Sequence, residues 1–67
     1  MKRIWIWENM PSYVNYIAQD RNGTWNGFRE KPHIDEDYLE WDDGRHDAVI
    51  ISFERMYKWR ESLQERP

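Results

Sequence analysis

A turn signal in the first third of the chain places the strongest constraint on the fold. Asp20-Arg21-Asn22-Gly23 lies between two apolar runs, residues 13–18 and residues 24–28. Aspartate favours the first position of a type I turn, and glycine readily adopts the positive φ that follows such a turn. Apolar runs joined in this way predict a β-hairpin.

Two registers of this hairpin are compatible with the sequence. If the loop has three residues and a bulge, Tyr16 faces Phe28; if Asn22-Gly23 is a two-residue turn, Ile17 faces Phe28 instead. We favour the three-residue loop, because Asp20 then serves the turn and does not lie within a strand.

Further strand signals follow the same logic. Asp42-Asp43-Gly44 reads as a second turn, and the β-branched run Val49-Ile50-Ile51 predicts the central strand of the sheet. Lys2 to Trp7 also alternates as a strand, with isoleucines on one face and tryptophans on the other. These segments predict a small antiparallel sheet of three to five strands.

The last part of the chain predicts a short helix. Ser52 is a candidate N-cap, and the segment from Glu54 to Gln64 places its apolar and long side chains on one helical stripe. The stripe consists of Phe53, Met56, Tyr57, Arg60, Leu63 and Gln64. The expected fold class is therefore mainly β (α+β), with a short C-terminal helix, in a single domain over residues 1–67.

Composition limits the setting and the chemistry. The chain has 67 residues, no cysteine and a formal net charge of −3. Without cysteine, neither a disulfide scaffold nor a cysteine-containing zinc site can form, and we expect a cytoplasmic location. No apolar run approaches the roughly 20 residues needed to span a membrane, so we expect no membrane association.

Catalytic and metal-binding patterns are absent from the sequence. His33 and His46 lie among carboxylates, but their spacing matches no metal-ligand pattern. The serines have no histidine and aspartate arranged near them in sequence, and no glycine-rich phosphate loop is present. We therefore expect a protein that is not an enzyme and that has no cofactor and no metal.

Tryptophan and acidic residues supply the candidate binding site. The chain has five tryptophans, and tryptophan is enriched at binding hot spots. We expect Trp7, Trp25 and Trp41 to form an aromatic surface that binds a partner protein. Residues 33–47 carry a formal charge of −6, so we expect acids there to steer a basic partner. These candidate partner-binding acids are Asp37, Asp42 and Asp43.

Two alternatives remain open. In the first, the protein is a homodimer that sequesters a nucleotide-type ligand, with Trp25 and Phe28 stacking on the base. Its phosphate would pair with Arg29, Lys31 or Arg45. In the second alternative, basic and aromatic residues of the first half bind single-stranded nucleic acid.

Several segments resemble small proteins encoded by tailed bacteriophages. The similar segments include Met10-Pro11-Ser12-Tyr13-Val14, Tyr16-Ile17-Ala18-Gln19-Asp20, Asn22-Gly23-Thr24-Trp25 and Trp59-Arg60-Glu61-Ser62-Leu63 with the residues after it. The resemblance implies the cytoplasm of an infected bacterium and no particular chemistry. It also implies a function in which a host protein is bound and inhibited or redirected, for host takeover or against host defence.

Overall fold

The computed structural model describes residues 7–67, and its architecture is mainly β, as the sequence predicts. Helical conformation within these residues is limited to Trp7 and Glu8 and to a 3₁₀ turn, Trp59–Glu61. The strands are β1 Tyr16–Gln19, β2 Thr24–Phe28, β3 His33–Asp35, β4 Glu40–Asp42, β5 Val49–Phe53 and β6 Gln64–Glu65.

The first hairpin has the predicted register. Tyr16 lies opposite Phe28, and Asp20 continues the pairing to Thr24, which leaves a three-residue loop of Arg21, Asn22 and Gly23. The Asp20 N–H donates to the Thr24 carbonyl at 2.9 Å, and the Gly23 N–H donates to the Asp20 carbonyl at 2.9 Å. Gly23 has a φ of 96°, which is the left-handed conformation that this turn requires.

The strands form two antiparallel sheets. The larger sheet has four strands in the order β5-β2-β1-β6, and β3 pairs with β4 in a separate two-stranded sheet. The four-stranded sheet lies within the predicted range of three to five strands. The second, smaller sheet is an addition to the prediction.

The main core lies on one face of the four-stranded sheet. Trp7, Val14, Ile17 and Trp25 form a buried cluster, and Met10, Val49 and Ile51 pack against it. On the opposite face, Ala18 and Phe28 are also buried, while β4 and the 3₁₀ turn contact β1. The sheet therefore has apolar packing on both faces, which a single hairpin could not provide.

The prediction that residues 49–51 form the central strand is wrong. In the described part of the chain, β5 lies at one edge of its sheet and pairs with β2 alone. Val49 and Ile51 face the core, but Ile50 points outward and is 77% exposed. Strong β propensity therefore reflects a pleated, half-buried position here and not burial on both faces.

The prediction of a helix from Glu54 to Gln64 is also wrong, apart from the short 3₁₀ turn. The side chain of Gln19, which is buried in β1, binds the backbone of this segment. Its Nε2 donates to the carbonyls of Glu54 and Arg55, at 3.1 and 3.3 Å, and its Oε1 accepts from the Tyr57 N–H at 3.4 Å. These backbone groups are thus satisfied by tertiary contacts, so helical hydrogen bonds do not form.

The predicted strand from Lys2 to Trp7 lies outside the described residues except for Trp7. Trp7 has helical backbone conformation, and its carbonyl accepts from the Met10 N–H at 3.3 Å. Across residues 7–67, no helix has the length and apolar character needed to cross a membrane.

Candidate functional site

Most of the predicted tryptophan surface is buried. Trp7 and Trp25 are each 7% exposed, because both belong to the main core. Trp59 is 8% exposed, and Trp5 lies outside the described residues. The expectation that Trp7 and Trp25 present an aromatic surface is therefore wrong, since their rings are used to stabilise the fold.

Trp41 is the one predicted partner-binding tryptophan that is half-exposed. It lies on β4, the strand of the small sheet that packs against β1. Its backbone N–H donates to Asp20 Oδ1 at 2.8 Å, and its indole Nε1–H donates to the Trp59 carbonyl at 3.0 Å. These bonds attach the small sheet to the β1–β2 turn and to the 3₁₀ turn, and they fix the orientation of the indole.

A concave surface of about 420 Å³, which we call the acidic groove, lies between the two sheets. One wall is the β3–β4 hairpin, and the opposite wall includes Asn26 of the four-stranded sheet with His46 and Ala48 from the segment before β5. Three aromatic residues line it: Phe28, Tyr38 and Trp41. Five carboxylates also line it: Asp20, Asp35, Glu40, Asp42 and Asp43.

A second concavity of about 370 Å³ adjoins this groove at the Asp20 turn. Asp20, Tyr38 and Glu40 line both concavities, and Arg21, Asn22 and Leu39 complete the second. Tyr38 is 75% exposed. An aromatic ring and two carboxylates therefore separate two adjacent depressions on one surface.

Two carboxylates of the groove, Asp20 and Glu40, lie where the ionised form is disfavoured. Burial raises the pKa of Asp20 above its usual value, although hydrogen bonds from Trp41 and Asn26 oppose the rise. Burial also raises the pKa of Glu40, and repulsion from Asp20, Asp35 and Asp42 adds to the effect. Ionisation is therefore disfavoured at these two carboxylates, by burial at both and by neighbouring negative charges at Glu40.

The ion pairs of the described residues lie elsewhere. Arg60 pairs with Glu36 at 2.7 Å, and Arg29 and Arg45 both bind Asp47, at 3.0 and 3.3 Å. Neither Glu36 nor Asp47 lines the groove. Within residues 7–67, none of the five groove carboxylates has a cation within ion-pair distance.

The three predicted partner-binding acids do not all lie in the groove. Asp42 and Asp43 line the groove, whereas Asp37 lies on the exposed turn between β3 and β4. Sequence reasoning missed Asp20 as a groove residue, because its position in the hairpin turn already accounted for an aspartate there. It also missed Tyr38. The only indication in the sequence that Tyr38 belongs to the site was its position within the acidic segment, residues 33–47.

The predicted nucleotide site is only partly assembled. Trp25 and Phe28 are buried, so neither ring offers a free face to a base. Arg29 and Arg45 do come together, but both bind Asp47, and the Arg29 guanidinium also lies 3.9 Å from the centre of the Tyr13 ring. Lys31 is exposed. The residues that would hold the base and those that would hold the phosphate therefore do not form one site.

Two large apolar side chains of β5 are exposed, which the sequence did not predict. Ile50 and Phe53 of β5 are 77% and 73% exposed, although they are three residues apart in a strand. The register with β2 shifts between Trp25 and Asn26, which leaves one extra residue in β5. This bulge restores the outward direction to Phe53, since regular alternation would have turned it inward.

Residues 7–67 contain no group of three or more histidine, aspartate or glutamate side chains arranged to hold a metal ion. The two histidines that were considered as metal ligands, His33 and His46, are exposed. Comparison of the chain with protein-family models, with curated proteins and with solved structures found no match.

Proposed function

We propose that this protein is a non-enzymatic binding module that captures a basic segment of a partner protein in the acidic groove and thereby inhibits or redirects that partner. One observation carries the proposal: five carboxylates converge on the groove, and none of them has an ion-pair partner within the described residues. The resemblance to phage proteins supports a host bacterial protein as the partner.

The groove supports this role because its charges reduce the stability of the free protein. Burial disfavours the ionised forms of Asp20 and Glu40, and repulsion from nearby carboxylates adds to the effect at Glu40. A sequence selected for stability alone would replace or pair such groups. A lysine or arginine side chain from a partner would supply the missing positive charge, so binding would remove part of this unfavourable energy.

The aromatic walls suit the same kind of partner. The rings of Tyr38 and Trp41 lie beside the carboxylates, and Tyr38 is largely exposed. A cation over such a ring gains about 0.5–2 kcal/mol, depending on how far it is desolvated. Carboxylates and aromatic faces together therefore favour the side chains of lysine and arginine over neutral ones.

The arrangement of Asp20 favours a structural and electrostatic role over a catalytic one. Its Oδ1 accepts from the Trp41 N–H at 2.8 Å, and its Oδ2 accepts from Asn26 Nδ2 at 2.9 Å. A general acid or base must exchange a proton with a substrate within hydrogen-bond reach. Asp20 instead uses both oxygens to join the turn, β2 and β4.

No specific observation favours either of the two alternative functions. Base stacking by Trp25 and Phe28 would require both rings to leave the interior. The same burial removes Trp7, Trp25 and Phe28 from a nucleic-acid-binding face. The homodimer and the cytoplasmic location stay predictions.

Affinity purification from infected bacterial cells tests the proposal. The wild-type protein is compared with a groove variant, Glu40→Gln with Asp42→Asn, and with a charge-matched control, Glu61→Gln with Glu65→Gln. Each double variant removes two negative charges, but the control residues are exposed and outside the groove. We expect one basic host protein to be retained by the wild type and the control, and to be lost from the groove variant.

The affinity for the recovered partner then gives the quantitative test. We expect the groove variant to bind at least about tenfold more weakly than the control, because truncating one member of a desolvated charge pair typically costs 2–5 kcal/mol. Raising the salt concentration should weaken wild-type binding, since exposed charges are screened. Equal affinities for the two double variants would contradict the proposal, as would recovery of an acidic partner.

A further inference from the structure

The β3–β4 hairpin is connected to the rest of the protein in an unusual way. It forms its own two-stranded sheet, and no strand of the four-stranded sheet pairs with it in the described residues. An isolated two-stranded hairpin is at best marginally stable in water. The hairpin must therefore be stabilised by packing of β4 against β1 and, in its polar contacts, by a few side-chain bonds, and not by a continuous ladder of backbone hydrogen bonds to the larger sheet.

Those contacts are concentrated at two places. Trp41 donates from its backbone to Asp20 and from its indole to the Trp59 carbonyl, at 2.8 and 3.0 Å. At the other end of the hairpin, Glu36 in the turn pairs with Arg60, and both side chains are about half exposed or more. Exposed ion pairs of this kind contribute little, so Trp41 is the main attachment.

The connection that follows β4 has an irregular backbone. The segment after β4 contains Gly44 and His46, both with positive φ, at 81° and 60°. A Cβ placed on Gly44 would have no heavy atom within 4 Å, so no packing contact surrounds that side of the backbone. Short segments of this kind can absorb the φ and ψ changes of a hinge.

The hairpin is also one wall of the acidic groove. Tyr38, Glu40 and Trp41 belong to it, whereas Asp20 and Asn26 belong to the opposite wall. Any rotation of the hairpin away from β1 therefore widens the groove and exposes the Trp41 ring.

We propose that the β3–β4 hairpin, residues 33–42, is a hinged flap over the acidic groove, latched in its closed position by the hydrogen bonds of Trp41 to Asp20 and to the Trp59 carbonyl. The closed position buries the Asp20 carboxylate, which costs free energy, and opening returns that carboxylate to water. Opening breaks only the contacts of the small sheet and leaves the four-stranded sheet paired, so it is less costly than unfolding of the domain. The inference goes beyond the proposed function, because it concerns the free protein.

Amide hydrogen exchange on the protein without any partner tests the flap. We expect amides of β3 and β4 to exchange faster than those of β1 and β2, and to respond less to low concentrations of denaturant, since opening exposes less surface than global unfolding. Equal protection of both sheets, with the same dependence on denaturant, would mean that the hairpin opens only when the whole domain unfolds. That result would overturn the proposal.

Two substitutions locate the latch. Trp41→Phe keeps an aromatic ring but removes the indole N–H, and we expect about two- to tenfold faster exchange in residues 33–42, because one net hydrogen bond is lost. Exchange in β1 and β2 should not change. Faster exchange of both sheets by the same factor would refute a local latch.

The second substitution has a control one residue away. Glu36→Gln breaks the ion pair with Arg60 and should also speed exchange of the hairpin, whereas Asp37→Asn changes an exposed neighbour in the same turn and should not. If both substitutions act alike, the ion pair has no role in closing the flap. Because no partner is present, failure here leaves groove binding untouched, and failure of the purification experiment leaves the flap untouched.

Discussion

Gly27 in β2 occupies a position where the packing leaves no room for a side chain. Its neighbour across the core is Val14, which is fully buried. A Cβ built on Gly27 would lie 2.7 Å from Val14 Cγ1, 3.3 Å from Val14 Cγ2 and 3.2 Å from Val49 Cγ2. Carbon atoms pack best at about 3.5–4.0 Å, so the closest approach is about 1 Å too short.

We therefore expect Gly27→Ala to lower the free energy of unfolding by about 1–3 kcal/mol, the usual cost of overfilling a well-packed core. For a domain of this size the total is about 3–10 kcal/mol, so the loss is a large fraction of it. The midpoint of thermal unfolding should fall by about 4–8 °C for each kcal/mol lost. Denaturant titration followed by circular dichroism measures both the midpoint and the slope.

A compensating substitution makes the test specific. Val14→Ala alone should destabilise the protein by roughly 2 kcal/mol, since it removes buried methyl groups and leaves a cavity. The added Cβ at Gly27 would partly fill that cavity, so the double variant should lose at least about 0.5 kcal/mol less than the sum of the single losses. Wild-type stability for Gly27→Ala, or strict additivity in the double variant, would refute the packing argument.

Three further substitutions test other contacts. Because burial raises the pKa of Asp20, the folded protein holds this proton more tightly than the unfolded chain, so stability is lost as the pH rises from the usual value of 3.8 through the folded pKa. Asp20→Asn should remove this part of the pH dependence in denaturation curves between about pH 4 and 7, and an unchanged dependence would contradict it. Gln19→Ala should cost at least about 2 kcal/mol in the same assay, because backbone carbonyls and an N–H lose their buried partner; a loss below about 0.5 kcal/mol would count against this role. Ser52→Ala should be neutral or stabilising by up to about 1 kcal/mol, since its buried hydroxyl has no hydrogen-bond partner in the described residues, and a clear loss of stability would show that it has one.

The first hairpin could be predicted because its information is local. Asp20 and Gly23 belong to the same turn, and the turn geometry sets which residues of β1 and β2 face each other. The correct register follows from four consecutive residues, without knowledge of the rest of the fold. The antiparallel, mainly β class followed in the same way from the run of strand and turn signals.

The position of β5 and the absence of the C-terminal helix could not be predicted, because both depend on contacts between distant residues. Whether Val49–Phe53 is central or at an edge depends on which strands reach its two sides. The sequence after Ser52 does have the spacing of an amphipathic helix. However, Gln19 binds the backbone carbonyls of this segment, and these bonds take the place of helical hydrogen bonds. A buried glutamine with several backbone partners leaves no recognisable pattern in a sequence.

The candidate site was predicted in part. The acidic segment pointed to Asp42 and Asp43, which do line the groove. Trp7 and Trp25 were placed wrongly, because hot-spot statistics do not distinguish a tryptophan that binds a partner from one that completes a small core. The contribution of Asp20 to the groove depends on how the two sheets pack, and no local pattern contains that information.

The strand order of the larger sheet has a consequence for the folding pathway. The central pair, β1 and β2, is joined by a tight turn, whereas β6 pairs with β1 and β5 pairs with β2 only after long stretches of chain have been brought back. Closing a short loop costs less entropy, so the hairpin should form first and serve as a template for both later strands. Substitutions within it should then slow folding, whereas those in β5 and β6 should mainly speed unfolding.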